Sequence, residues 1–223
     1  MEDDDAEPDL YDALMTTRAI RRFTDEPVDD ADIERCLAAA VQAPSGGNIQ
    51  PYQFLVVTDA AQKSALGDLY RRAFDRYDPA VQQLIPPFAD DEARRRHERN
   101  WAMSRHLADT IGDVPAVVLV LVPRISMAVS DEDGEMDVGP VYASVYPAVE
   151  NFILAARSLG LGTCLTTVIR IHEAEARAVC AVPDRFEIAA LLPVGHPAGR
   201  WGVAPRRPAR SLTSWNTYGE RRR

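Results

Sequence analysis

Apolar positions recur along the chain at two periods, and each change of period marks a new element. Residues 9–18 place Leu10, Ala13 and Leu14 at three- and four-residue spacing, which predicts a short helix ending near Arg18. Asp29 or Asp30 can cap a second helix, whose Ile33, Leu37, Ala40 and Val41 share one face before Pro44 stops it. Residues 53–58 (QFLVVT) read as a strand, 60–72 as a helix, and 91–111 as a charged helix with Trp101, Met103 and Leu107 available for packing. The run VPAVVLVLV has no polar interruption, so residues 116–122 predict a buried central strand. Residues 141–159 (VYASVYPAVENFILAARSL) predict a long helix, with Pro147 in its early part and Gly160 as its stop. That helix is apolar on most faces and needs burial, at the centre of the molecule or of a dimer. LGLGTCLTT then turns into a short extended segment, residues 173–180 form a helix, and EIAALLPVGHP from Glu187 is another strand.

Three stretches break the pattern. Residues 74–90 carry YDP and IPPF, too many prolines for one helix, and predict an irregular excursion of the kind that lies over a binding site. SDEDGEMD, residues 130–137, reads as a solvated acidic connector. The last 25 or so residues, rich in Arg, Pro and Trp, read as a tail draped over another surface.

Composition narrows the class. The length of 223 residues suits one domain over residues 10–223, preceded by a disordered acidic tail at 1–9 (MEDDDAEPD). That tail has neither the basic start nor the apolar core of a signal peptide, and no run approaches the roughly 18 apolar residues of a membrane helix, so the expected location is cytoplasmic. Cys36, Cys164 and Cys180 are odd in number and unpaired in spacing, as expected of free thiols in a reducing compartment. A net charge of −9 argues against nucleic acid as a partner. Arginines nevertheless concentrate at Arg18, Arg21 and Arg22, within residues 94–99, and at Arg206, Arg207 and Arg210, an arrangement suited to a small anion.

Familiar catalytic signatures are missing. No G-x-G-x-x-G follows a strand and no P-loop occurs, Ser45 lacks a nucleophile elbow, and His97, His106, His172 and His196 lack the pairing of a zinc site. Four pieces remain that can converge: TRAIRRF (17–23), APSGGNIQPY (43–52), LGLGTCLTT (159–167) and PVGHPAGRWGVAPRRP (193–208). Taken singly, each has a simpler structural explanation as a helix end, a turn or a stop.

Together and in this order they resemble the nitroreductase family of FMN-dependent NAD(P)H oxidoreductases, over nearly the whole chain from about Tyr11. The family's Arg-Arg-Ser-x-Arg-x-Phe segment, which holds the FMN phosphate and ribityl chain, corresponds to residues 17–23, with Thr17 at the first arginine and Ala19 at the serine. Its Ala-Pro-Ser-x-x-Asn-x-Gln-Pro-Trp turn is matched at Ala43, Pro44, Ser45, Asn48, Gln50 and Pro51, with Tyr52 in place of Trp. By this resemblance the cofactor-binding residues are Arg18, Ala19, Arg21, Arg22, Pro44, Ser45, Gly46, Asn48, Leu165, Thr166, Thr167 and Arg206. Arg21 is further implied to tune the reduced flavin, and the protein supplies no catalytic side chain or metal of its own.

The implied fold is α+β, a central mixed or antiparallel sheet flanked by helices, with the C-terminal segment extending onto the partner of a homodimer. The implied activity is hydride transfer from NADPH or NADH to the flavin and then, by a ping-pong mechanism, to a small-molecule acceptor such as a nitroaromatic or quinone. Other branches carry out dehalogenation, dehydrogenation or flavin breakdown to a benzimidazole. A flavin-storing protein of the same fold, without turnover, is the alternative.

Overall fold

The computed structural model describes residues 8–222, so the acidic stretch at residues 1–7 lies outside the described part. A four-stranded antiparallel sheet occupies the centre, in the order β1 (Gln53–Val57), β2 (Ala116–Pro123), β6 (Phe186–Gly195), β5 (Gly162–Thr163). The uninterrupted apolar run of β2 conceals a period of two. Val118, Val120 and Val122 join one core cluster, and Val117, Leu119 and Leu121 join the other, because both faces of the sheet are covered. Between Val120 and Leu121 the register with β6 slips by one residue, and this bulge lets Ala189 and Ala190 both face the first cluster.

Helices α2 (Asp30–Ala40) and α5 (Tyr142–Ser158) cover the first face, with Cys36, Ala40, Val145, Val149 and Phe152 buried between them and the sheet. Asp29 caps α2, its carboxylate accepting from the Ala31 N–H at 3.0 Å. Helices α3 (Ala60–Gln82), α4 (Asp91–Thr110) and α6 (Glu173–Val179) cover the second. The short α1 (Leu10–Thr16) stands at the edge with Leu10, Tyr11, Leu14 and Met15 exposed.

Two expectations are corrected. The excursion at 74–90 is helical through Gln82, with Pro79 inside α3, leaving residues 83–90 irregular. Packing against α4 outweighs the proline. Trp101 Nε1 donates to Asp78 at 2.7 Å, Arg105 reaches Asp75 at 2.6 Å and Asp78 at 3.3 Å, and Phe74 and Tyr77 lie on the Trp101 ring. The acidic connector is a hairpin, β3 (Ala128–Asp131) paired with β4 (Gly134–Asp137) through a turn that holds Gly134 at φ 129°.

Candidate cofactor site

Thr17 ends α1 by donating its hydroxyl to the Ala13 carbonyl at 2.6 Å, and the chain then runs extended along the end of the sheet. Ile20 donates its N–H to the Thr163 carbonyl at 2.8 Å, and Thr24 donates to the His196 carbonyl at 2.9 Å. The Ile20 side chain is buried against Gly162, where a Cβ would meet it at 2.8 Å. This wedge fixes the backbone on either side of Ile20 and so aims Arg18, Ala19 and Arg21 into one cavity of about 790 Å³. The C-terminal segment is tied beside it, Gly202 donating to the Thr16 carbonyl at 3.2 Å, which brings Arg206 and Arg207 to the same cavity. From the other side α4 contributes Arg96, Arg99, Asn100, Trp101 and Ser104.

The cavity lining has six arginines and no carboxylate. Arg18, Arg21, Arg96 and Arg207 have no hydrogen-bond or ion-pair partner among the described residues, Arg99 comes only within 3.8 Å of Glu92, and Arg206 donates to its neighbour's carbonyl, that of Pro205, at 3.3 Å. Other arginines are closely paired, as with Arg94 and Glu98 at 2.8 Å or Arg124 and Glu173 at 2.7 Å, although Arg22, Arg76, Arg200 and Arg210, outside the cavity, also have no ion-pair partner among the described residues. Six guanidinium groups facing one space without carboxylates form an anion site.

A narrower cavity of about 240 Å³ adjoins the first and shares Arg21, Trp101 and Ser104 with it. Tyr70, Phe74 and Tyr77 of α3 form one wall, Cys164, Leu165 and Thr166 the other. The Tyr77 and Trp101 rings stack at 6.1 Å with 16° between their planes. Tyr70 and Thr166 share a hydrogen bond of 2.8 Å between their hydroxyls. Burial pushes the Tyr70 phenol up to about 12, so it remains a neutral hydroxyl at physiological pH, and burial likewise raises Cys164 and keeps it a thiol rather than a nucleophilic thiolate.

Of the residues expected at a cofactor site, Arg18, Ala19, Arg21 and Arg206 line the larger cavity, and Leu165 and Thr166, with Arg21 again, line the smaller. Arg22 and Thr167 line neither. The Arg22 carbonyl accepts from Ala198 at 3.0 Å, and the Thr167 carbonyl accepts from Arg170 at 3.0 Å. Pro44, Ser45, Gly46 and Asn48 also line neither cavity, although they do form a tight, outward-facing turn. Ser45 Oγ accepts from the Gln50 N–H at 2.9 Å, the Gly46 N–H donates to Ser144 Oγ at 3.1 Å, and Gly47, Asn48 and Gln50 hold left-handed φ values of 56°, 54° and 45°.

Strand register explains the separation. The turn feeds Gln53, which pairs with Leu121 and through it Ile188, whereas the arginine segment is clipped to Thr163, opposite Val194. Six residue steps along β6, from Ile188 to Val194, separate these levels, roughly 20 Å at about 3.3 Å per residue. Sequence reasoning noted the arginines within residues 94–99 as suited to a small anion but did not join them to the cofactor segments; it missed Asn100 and Ser104 of α4 and Tyr70 and Phe74 of α3, and assigned Trp101 to packing. The signal available was the i, i+3 pair Arg96 and Arg99, which leaves one helix face with adjacent guanidinium groups.

Comparison with known proteins identifies the family. The model of the Nitroreductase family matches residues 14–196. The 5,6-dimethylbenzimidazole synthase of Rhodospirillum rubrum is 29% identical over 198 residues, 85% of this chain and 82% of that protein. An FMN reductase (NADPH) of Bacillus subtilis is 27% identical over 205 residues, 92% of this chain and 72% of that protein. Among solved structures, an iodotyrosine deiodinase bound to FMN and 3-iodo-L-tyrosine superposes with a TM-score of 0.71, covering 94% of this chain and all (100%) of that one at 24% identity, and so shares the fold. A match over most of the chain, the antiparallel sheet and the convergence of arginines from both termini lead to one conclusion: the chain belongs to the Nitroreductase family.

Proposed function

We propose that the protein is an FMN-dependent oxidoreductase that takes a hydride from NAD(P)H and reduces an aromatic electron acceptor by a ping-pong sequence, acting as a homodimer. One observation carries this reading: arginines from the two ends of the chain, Arg18 and Arg21 with Arg206, meet without carboxylates beside an aromatic-walled slot. The residues fit the cofactor. The arginine cavity suits its phosphate, Arg21 stands where the slot adjoins that cavity, and Leu165 and Thr166 line the slot itself. When bound, FMN supplies the redox chemistry.

The chain's own residues bind and orient. Arg18 and Arg206 hold the phosphate by bidentate, charge-assisted hydrogen bonds. Arg21, at the junction of the two cavities, holds positive charge where negative charge develops during reduction. Trp101, Tyr77 and Phe74 offer aromatic surface to a planar ring, and the 240 Å³ slot admits one such ring at a time, so nicotinamide and acceptor take turns there. Nitroaromatics and quinones are the acceptor class for such a slot.

The turn at Pro44, Ser45, Gly46 and Asn48 lies too far along the sheet to close this cavity within one chain, and the homodimer supplies it from the partner. Exposed apolar side chains on α1 (Leu10, Tyr11, Leu14, Met15), on the turn (Ile49) and on the tail (Trp215, Tyr218) are the surface such a partner covers. Fluorescence titration of FMN tests the assignment. Arg206→Ala or Arg18→Ala weakens binding by about 1–3 kcal/mol, the range for a lost charge-assisted hydrogen bond, whereas Arg200→Ala, outside both cavities, leaves it unchanged. Equal affinities in all three variants refute the phosphate site.

A further inference from the structure

We propose that Arg96 and Arg99 of α4, with Arg207 opposite them, form a second phosphate subsite that holds a phosphate of the nicotinamide reductant, an inference that rests on the flavin reading above. Charge balance carries it. Six arginines line the cavity, and the cofactor's single phosphate carries about two negative charges, enough for two or three guanidinium partners. Arg18, Arg21 and Arg206 meet that need. Of the remaining three, Arg96 and Arg207 have no carboxylate partner among the described residues and Arg99 shares Glu92 with Arg95, in a protein with nine more negative than positive charges to draw on.

The arrangement on α4 is selective. Arg94 is paired within the helix with Asp91 at 3.3 Å and Glu98 at 2.8 Å, whereas Arg95 and Arg99 share the one carboxylate of Glu92, each at 3.8 Å. Arg96 has no partner among the described residues, and Arg99 reaches Glu92 only at 3.8 Å. At i, i+3 the two side chains are neighbours on one face, about 5–6 Å apart at Cβ, a spacing suited to gripping one phosphate from two sides. Asn100 lines the same wall and adds an amide donor, and the aromatic slot where the nicotinamide stacks opens a turn further along the same helix, at Trp101 and Ser104. A dinucleotide lying along α4 therefore places its ring in the slot and a phosphate on Arg96 and Arg99.

Two phosphates of the reductant share this chemistry: the 2′-phosphate found only in NADPH, and the pyrophosphate common to NADPH and NADH. Calorimetric titration of the FMN-loaded full chain with adenosine 2′,5′-bisphosphate and with AMP, at fixed salt, separates them. The expected result is that Arg96→Ala/Arg99→Ala weakens bisphosphate binding at least tenfold with the FMN dissociation constant within twofold of the original, and that Arg96→Lys/Arg99→Lys recovers part of the loss. Bisphosphate binding at least tenfold tighter than AMP assigns the subsite to the 2′-phosphate. Equal binding of both, lost together in the alanine variant, assigns it to the pyrophosphate side, and either result supports the subsite. Failure of the original protein to bind either nucleotide, binding unaffected by the alanine pair, or FMN affinity that falls as far as nucleotide affinity overturns it. A protein that takes up no FMN at all fails at the earlier step and rejects the flavin reading itself.

Discussion

Ile20 does as much for the site as the arginines on either side of it. Its buried side chain fills the space left by Gly162, and its backbone is bonded to Thr163, so Arg18 and Arg21 inherit their direction from a packing contact. Gly162→Ala puts a methyl 2.8 Å from Ile20 and forces this segment outward. The expected outcome is destabilisation of about 1–3 kcal/mol from overpacking, together with weaker FMN binding, measured by urea unfolding and by flavin titration; normal binding would show that Ile20 does not aim the arginines. Cys36 provides a different test. Burial, with Asp32 adding to it, raises its thiol from 9.0 to about 12. The unfolded chain therefore loses this proton at lower pH than the folded one, so stability is fully present below pH 9 and declines as pH rises from there through about 12. Tyr70, raised from 10.0 to about 12, adds to the decline above pH 10. Each group contributes up to about 1.4 kcal/mol per pH unit within its window. Cys36→Ala should lower the slope of the unfolding free energy between pH 9 and 10, where Tyr70 contributes little and the raised thiols of Cys164 and Cys180 supply the remainder; an unchanged slope would show that Cys36 does not contribute.

At the scale of elements, α3 and α4 carry the slot, and glycines set how closely they approach the sheet and each other. Gly67 on α3 lies against Gly112, just beyond α4, and a Cβ at Gly67 would come within 2.7 Å of the Gly112 Cα. Because the obstacle is backbone, Gly67→Ala is expected to cost about 1–3 kcal/mol and to spread the two helices, loosening the Tyr77–Trp101 stack. Reduced denaturant midpoint with red-shifted tryptophan emission is the predicted signature. Most elements were legible from periodicity, including the helix at Asp30–Ala40, the central strand and the long apolar helix. The far end of α3 was not, because Pro79 is a local signal whereas the Asp78–Trp101 and Asp75–Arg105 bonds that hold this turn helical join residues 20 to 30 positions apart. The hairpin at Ala128–Asp137 escaped for a related reason: half of its residues are charged and nearly all are exposed, so no apolar face betrays the alternation. Arg18, Arg21 and Arg206 were legible as parts of motifs, whereas the arginines within 94–99 were legible only as a basic cluster suited to a small anion, and that Arg96 and Arg99 share a cavity with Arg18 and Arg206 emerged only from the packing of α4.

For the whole molecule, the account requires two chains per site. A chain carrying Arg18→Ala/Arg206→Ala keeps its turn, and one carrying Ser45→Ala/Asn48→Ala keeps its arginines. Each alone is expected to hold FMN poorly. Unfolding and refolding the two together yields mixed dimers in which one site has both halves intact, so FMN binding recovers in the mixture. Absence of recovery, with dimers confirmed by sedimentation, would place the whole site within one chain. The most direct test of the central claim is the absorbance spectrum of the purified protein with FMN, recorded anaerobically before and after NADPH and then NADH. The account predicts bound flavin bands that bleach on addition of reductant and return when a quinone or nitroaromatic is supplied. Flavin bands that persist would mean storage without turnover, and a protein that takes up no FMN would contradict the assignment of the arginine cavity.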